Sequence, residues 1–170
     1  MKANRRLSFC LLFSSFLFIA FASNSYPSQL CTGKNETLDC AKKHSYELYS
    51  QNLDLFWKIL NKAADKAHKC NSDKSTAEFL KLVQIPRDGE LAEYYSEHIE
   101  NLCISNTKCF LDALLLLDPF DQDRIIYELY NPTFKESKEI TGALNKYKKN
   151  VKYKRVVDLY MKKFIPQDKQ

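Results

Sequence analysis

The chain has 170 residues, of which 45% are hydrophobic and 28% are charged, a composition typical of a globular protein rather than a disordered or fibrous one. This length predicts a single domain. Three glycines and five prolines also exclude collagen-like and low-complexity sequences. The formal net charge is +5, and its distribution along the chain is more informative than its value.

The N-terminal residues have the features of an export signal. Three basic residues within positions 1–6 precede an uncharged stretch over residues 7–22, which ends in Ala20-Phe21-Ala22. This arrangement is typical of a secretory signal peptide over residues 1–22, and we predict cleavage after Ala22. The stretch is shorter than the about 20 apolar residues that a membrane span needs, so we expect no transmembrane span after cleavage. An uncleaved anchor is the alternative.

The first half of the remaining chain predicts three helices. Apolar residues recur at three- and four-residue steps over residues 37–69. The two ends of that stretch can lie close together only if the helix breaks near residues 50–52. The sequence over residues 75–78 has a capping-box pattern that begins a second helix, and Pro86 ends it. Asp88 is placed to cap the third.

The second half predicts helices as well, beginning with a central buried one. Residues 109–117 are apolar on nearly every side, and Pro119 ends that helix. Asp121 is expected to begin the next. A second capping-box pattern over residues 133–136 precedes the final helical stretch, which we expect to divide near Asn150.

These elements predict one all-α domain over residues 35–166. No segment shows the alternation that a half-buried strand requires. We therefore expect five to seven helices, packed as an irregular bundle or as stacked helical hairpins and pinned by disulfides. An N-terminal arm over residues 23–34 would precede this domain, and a frayed tail over residues 167–170 would follow it.

The five cysteines outside the predicted signal peptide are disulfide candidates, because exported chains fold in oxidising compartments. Cys103 and Cys109 flank a loop-like stretch between two helical patterns, so we expect that bond first, at a helix–helix corner. We expect Cys31–Cys40 second, which leaves Cys70 as the free thiol. A Cys31–Cys70 bond is the alternative if the first helical stretch folds back.

No cofactor and no metal site are predicted. His68-Lys69-Cys70 holds the one close Cys/His pair in the sequence. The spacing of Cys103 and Cys109 fits no common zinc motif. Disulfides therefore explain the cysteines better than a metal does.

Glu93, Glu97 and His98 form the most enzyme-like local pattern. The two glutamates share a helix face, and two carboxylates with a histidine could perform acid–base chemistry in a cleft. The same pattern is typical of the solvated face of an amphipathic helix, opposite Leu91 and Ile99. We favour the structural interpretation, so the sequence does not favour an enzyme.

The C-terminal end is strongly basic. Residues 141–170 hold nine Lys and Arg and two Asp, whereas residues 23–140 hold 14 Lys and Arg and 19 Asp and Glu. We name as the basic C-terminal surface the lysines and arginine of this end with their interleaved tyrosines: Tyr147, Lys148, Lys149, Lys152, Tyr153, Lys154 and Arg155. Export argues against a nucleic-acid partner and favours an acidic protein or an anionic envelope surface. The alternative is that these cations pair with the chain's own acidic residues.

Three functions remain at this point. The first is an exported protein, periplasmic or secreted, of the binding or inhibitor type, which acts through the basic C-terminal surface. The second is a carrier of an apolar ligand, with a cavity lined near residues 114–117. The third is a small exported hydrolase that uses Glu93, Glu97 and His98. We favour the first, because the sequence combines export, cysteines and an uneven charge without a clear catalytic constellation.

Overall fold

The computed structural model describes residues 30–86 and 89–162. The predicted signal peptide, residues 23–29 of the predicted arm and the predicted tail lie outside these ranges. The described residues form α-helices and short 3-10 helices without a strand, which confirms the all-α prediction. The α-helices are α1 (Leu38–Lys43), α2 (Ser45–Gln51), α3 (Leu53–Lys69), α4 (Asp73–Leu80), α5 (Gly89–Ser105), α6 (Thr107–Leu114), α7 (Pro119–Glu128), α8 (Ser137–Asn145) and α9 (Lys154–Lys162). The 3-10 helices are Gly33–Asn35, Lys81–Gln84 and Val151–Tyr153.

Nine α-helices in the described part of the chain exceed the five to seven expected, because short breaks divide the predicted stretches. The stretch over residues 37–69 breaks at His44 and again at Asn52, where the backbone leaves the helical region. Asn52 then begins α3, since its side-chain oxygen accepts a hydrogen bond from the Leu55 N–H at 3.2 Å. As a result α1 and α2 both pack against α3.

Three predicted helix starts are displaced by a few residues. Ser72 precedes α4, so the pattern over residues 75–78 lies inside that helix. Asp118 caps α7 by accepting from the Asp121 N–H at 2.9 Å, and Pro119 occupies the first turn, where its missing N–H costs nothing. The capping box before α8 is formed by Glu136 and Glu139 rather than within residues 133–136.

The hydrophobic core is built around the helix α6, whose burial the sequence predicted. Phe110, Leu111, Ala113 and Leu114 on this helix have no exposed surface. The helix α6 packs against α4 and α5, while α8 packs against α5, and α9 against α7 and α8. None of the described helices is long and apolar enough to cross a membrane.

The disulfides differ from the prediction in one pair. Cys31 bonds Cys40, as predicted, and Cys31 is buried. The second bond joins Cys70 to Cys109, with Cα atoms 6.0 Å apart, and among the described cysteines Cys103 is free and buried. The predicted Cys103–Cys109 bond and the predicted free thiol at Cys70 are therefore wrong.

The physical reason for this pairing is the position of α4. This helix packs against both α3 and α6, and so brings the C-terminal end of α3 beside the first turn of α6. Cys70 ends α3 with a left-handed backbone conformation (φ +49°), and Cys109 is the third residue of α6. Cys103 lies on the core side of α5 with no exposed surface.

Candidate functional site

A groove of about 490 Å³ lies between the start of α6 and the turn that follows α8. We call it the α6 groove. Its lining includes the Cys70–Cys109 disulfide, Asn106, Lys108, Asp112, Lys146 and Tyr147. The groove thus connects the Cys70–Cys109 disulfide with the beginning of the basic C-terminal surface.

Asp112 is the polar centre beneath this groove. Its carboxylate is 93% buried and accepts hydrogen bonds from Lys108 Nζ at 2.6 Å, from Tyr153 Oη at 2.7 Å and from Lys152 Nζ. Burial alone raises the pKa of Asp112, but the hydrogen bonds from Lys108, Lys152 and Tyr153 outweigh it and lower the pKa to about 2. Because two lysines share one carboxylate, the cluster retains a net positive charge.

The turn over residues 146–149 is held in place by its own hydrogen bonds. The Tyr147 N–H donates to the Leu144 carbonyl at 2.9 Å, and the Asn150 N–H donates to the Tyr147 carbonyl at 2.9 Å. The Tyr147 ring contacts the Tyr153 ring edge-on at 5.5 Å, and Tyr153 is itself fixed by Asp112. The turn is therefore ordered without a partner, which reduces the entropy lost on binding.

The structure divides the basic C-terminal surface into two sets. In the first set the charges are satisfied internally. Lys152 binds Asp112, Lys154 binds Asp158 at 2.5 Å and Arg155 binds Asp123 at 2.8 Å. Tyr153 is buried and serves the fold. The cations of this set therefore pair with the chain's own acidic residues.

The second set is free to act on a partner. Lys148 and Lys149 are exposed, as is Lys146 two residues before Lys148. The side chains of these three lysines form no ion pair or hydrogen bond with another residue in the described ranges. Lys146 lines the α6 groove, and Lys148 and Lys149 follow it on the same turn, so three uncompensated cations stand within four residues beside the groove.

Glu93 and Glu97 lie on the exposed face of α5, while His98 turns toward α3. His98 Nδ1 lies 2.9 Å from Nε2 of His68, and the Tyr94 ring contacts the His98 ring at 4.3 Å. The structure therefore pairs His98 with a second histidine and leaves both glutamates in solvent. The sequence did not reveal this pair, because the two histidines are 30 residues apart.

This histidine pair sits in an aromatic environment that disfavours charge. Burial lowers the pKa of His68 and of His98, and the neighbouring His68 lowers that of His98 further. Burial also raises the pKa of Tyr94, whose hydroxyl is buried and forms no hydrogen bond to any described residue. Trp57 covers Tyr94, with ring centroids 5.2 Å apart. We find a packed cluster here rather than a cleft.

Glu100, on the buried side of α5, joins two parts of the fold. Its side chain is 99% buried. Its two oxygens accept hydrogen bonds from the backbone N–H groups of Thr133, Phe134 and Lys135 at 2.7–2.8 Å. The carboxylate thereby fixes the connection between α7 and α8 to the middle of α5.

The remaining sequence candidates do not meet in a site. Among the residues that the structure describes, no group of three His, Cys, Asp or Glu side chains is arranged to hold a metal ion. Leu114 and Leu117 are buried and Leu116 is exposed, and none of the three lines the α6 groove. Comparisons with protein-family models, curated proteins and solved structures find no match. The candidate site therefore rests on its own geometry.

Proposed function

We propose that this chain is an exported binding protein of the inhibitor type, which engages an acidic protein through the α6 groove and its rim. The observation that carries the proposal is the set of three exposed, unpaired lysines, Lys146, Lys148 and Lys149, on an ordered turn beside the groove. We call this set the rim lysines.

Charge favours a partner that presents carboxylates to this rim. The buried carboxylate that lines the groove, Asp112, is already shared by Lys108 and Lys152, so it leaves the rim lysines without compensation. Complementary charge accelerates encounter and excludes partners of like charge. Val151, with 86% of its surface exposed, adds an apolar contact beside the cations. A mixture of apolar and charged groups is typical of protein interfaces.

The shape of the site favours a protein over a flat anionic envelope surface. The α6 groove is recessed, so side chains of a partner can enter it, while a flat surface would meet only the turn. Export is supported by the predicted signal peptide and by the two disulfides, which persist in oxidising compartments.

The test compares two charge-reversed variants of the oxidised protein. The first replaces the rim lysines with glutamate (Lys146→Glu, Lys148→Glu, Lys149→Glu). The control makes the same change at three exposed lysines on α1 and α3 (Lys43→Glu, Lys62→Glu, Lys66→Glu). Each immobilised protein is exposed to the extracytoplasmic proteins of the source at low and at high salt, and in parallel to vesicles of phosphatidylglycerol and phosphatidylcholine.

We expect the wild type and the control to retain one protein in stoichiometric amount at low salt, and the rim variant to lose it. High salt should release it from both. Retention that is equal in the rim variant and the control contradicts the proposal. Binding to the anionic vesicles without a retained protein would assign the rim to an envelope surface instead.

A further inference from the structure

We propose that Cys70 is a site of thiol exchange, where an external thiolate forms a mixed disulfide and releases Cys109 as a thiolate. This inference concerns the Cys70–Cys109 bond and goes beyond the proposed binding function. Its evidence is the exposure of this bond and the different surroundings of its two sulfur atoms.

The Cys70–Cys109 bond is reachable from solvent. Both cysteines line the α6 groove, and both keep part of their surface exposed. In the other disulfide, Cys31 is 97% buried and belongs to the hydrophobic core, while Cys40 keeps part of its surface exposed. Attack at Cys40 would have to release the Cys31 thiolate inside the core, where burial disfavours it, so the bond in the groove should react first.

The two sulfur atoms of the reachable bond differ as leaving groups. Cys70 ends α3, and its Sγ lies 3.3 Å from the Ala67 carbonyl oxygen, which disfavours a negative charge there. Cys109 lies in the first turn of α6, and its Sγ is 3.5 Å from the Thr76 hydroxyl, which can donate to a thiolate. The thiolate is therefore better stabilised at Cys109, and the thiol with the lower pKa leaves faster.

The exchange step replaces one disulfide bond with another. The incoming thiolate forms a bond to Cys70 Sγ as the Cys70–Cys109 bond breaks, and the electron pair of that bond leaves on Cys109. A second external thiolate can then attack the mixed disulfide, releasing Cys70 and an oxidised small-molecule disulfide. The reductant is thus the external thiol itself.

The fold keeps Cys109 near the modified Cys70, so the reaction is reversible. The Asn106 side-chain amide donates to the His68 carbonyl at 3.1 Å, and α4 packs against both α3 and α6. These contacts tie the end of α3 to the start of α6 independently of the disulfide. Cys109 can therefore attack the mixed disulfide and restore the original bond.

The experiment treats the oxidised protein with reduced glutathione, quenches with N-ethylmaleimide at short times and maps each cysteine by mass spectrometry. We expect glutathione on Cys70, N-ethylmaleimide on Cys109, and the Cys31–Cys40 bond still intact. Glutathione divided equally between Cys70 and Cys109, or found mainly on Cys109, overturns the assignment. Faster cleavage of Cys31–Cys40 overturns it as well.

A pair of threonine variants tests the cause of the asymmetry. Thr76→Val removes the hydroxyl beside Cys109, and Thr141→Val removes a hydroxyl that likewise contacts a carbonyl four residues earlier, far from the disulfide. Cleavage of Cys70–Cys109 should slow about two- to three-fold in Thr76→Val, as loss of one hydrogen bond to the leaving thiolate implies. It should remain at the wild-type rate in Thr141→Val. Equal rates in the two variants contradict the role of Thr76.

Discussion

The two parts of this helical domain are held together by different chemistry. Residues 30–114, which contain α1 to α6, hold both disulfides. Residues 119–162, which contain α7 to α9, have no cysteine. Instead, two buried carboxylates on the first part reach the second: Glu100 binds the connection before α8, and Asp112 binds Lys152 and Tyr153 before α9.

Because of this difference, reduction and acid should destabilise different parts of the domain. A disulfide acts largely by restricting the unfolded chain and is lost on reduction. The Asp112 carboxylate acts through charge-assisted hydrogen bonds, which are lost when it is protonated. Reduction should therefore weaken the first part, while acid should weaken its attachment to the second.

The largest expected effect is removal of the longer disulfide. Replacing Cys70 and Cys109 with serine opens a loop with a sequence separation of 39 residues, and should lower the free energy of unfolding by about 4 kcal/mol. Replacing Cys31 and Cys40 opens a separation of nine residues and should cost about 3 kcal/mol. Urea unfolding of the two double variants measures the difference. A larger loss from the shorter loop would mean that loop length does not set these contributions.

The next effect concerns the buried carboxylate of α5. Glu100→Gln keeps the size of the side chain but removes its charge and one acceptor oxygen, so either the Thr133 N–H or both the Phe134 and Lys135 N–H groups lose their acceptor. We expect a loss of about 2–3 kcal/mol in thermal or urea unfolding. Glu97→Gln, an exposed position on the same helix, is the matched control and should change stability little. Equal effects would show that α7 and α8 do not depend on Glu100.

The acid dependence comes from Asp112. Its pKa of about 2 lies below the value of an unfolded aspartate, so its contribution is complete above about pH 4 and is lost as the pH falls to about 2. The amount is about 2 kcal/mol. Asp112→Asn should be less stable at pH 7 and should show a flatter decline between pH 4 and pH 2. Asp158→Asn, in a more exposed pair with Lys154, should retain the wild-type profile.

The smallest effect should come from a buried polar group that lacks a partner. The Tyr94 hydroxyl forms no hydrogen bond within the described residues, whereas Glu100 and Asp112 are fully engaged. Tyr94→Phe removes only that hydroxyl, so stability should stay within about 0.5 kcal/mol of the wild type or rise. A loss above about 1 kcal/mol, measured by urea unfolding, would indicate that the hydroxyl has a partner after all.

The predictions that the structure confirmed came from local sequence patterns. The periodicity of apolar residues predicted an all-α fold, and the nearly apolar run over residues 109–117 predicted the burial of α6. The Cys31–Cys40 bond could also be predicted from the local sequence, because its two cysteines have a sequence separation of only nine residues. Helix starts were displaced by a few residues where another side chain supplied the cap, as Asp118 does for α7.

Long-range contacts account for what the sequence did not reveal. His68 and His98, Cys70 and Cys109, and Glu100 with Thr133–Lys135 are separated by 30 to 39 residues. Each pair meets because helices between or beside them pack in one particular arrangement. No spacing rule within a single helix predicts such meetings.

By itself, the sequence determined the helical class, the burial of α6 and the basic character of the C-terminal end, because periodicity, polarity and charge are local properties. Only the tertiary structure decided which cations remain free. Lys152 and Arg155 form ion pairs with Asp112 and Asp123, which lie 40 and 32 residues earlier in the chain. The rim lysines form no ion pair with a carboxylate in the described part of the chain. A charge can be counted from the sequence, but its compensation depends on which helix packs beside it.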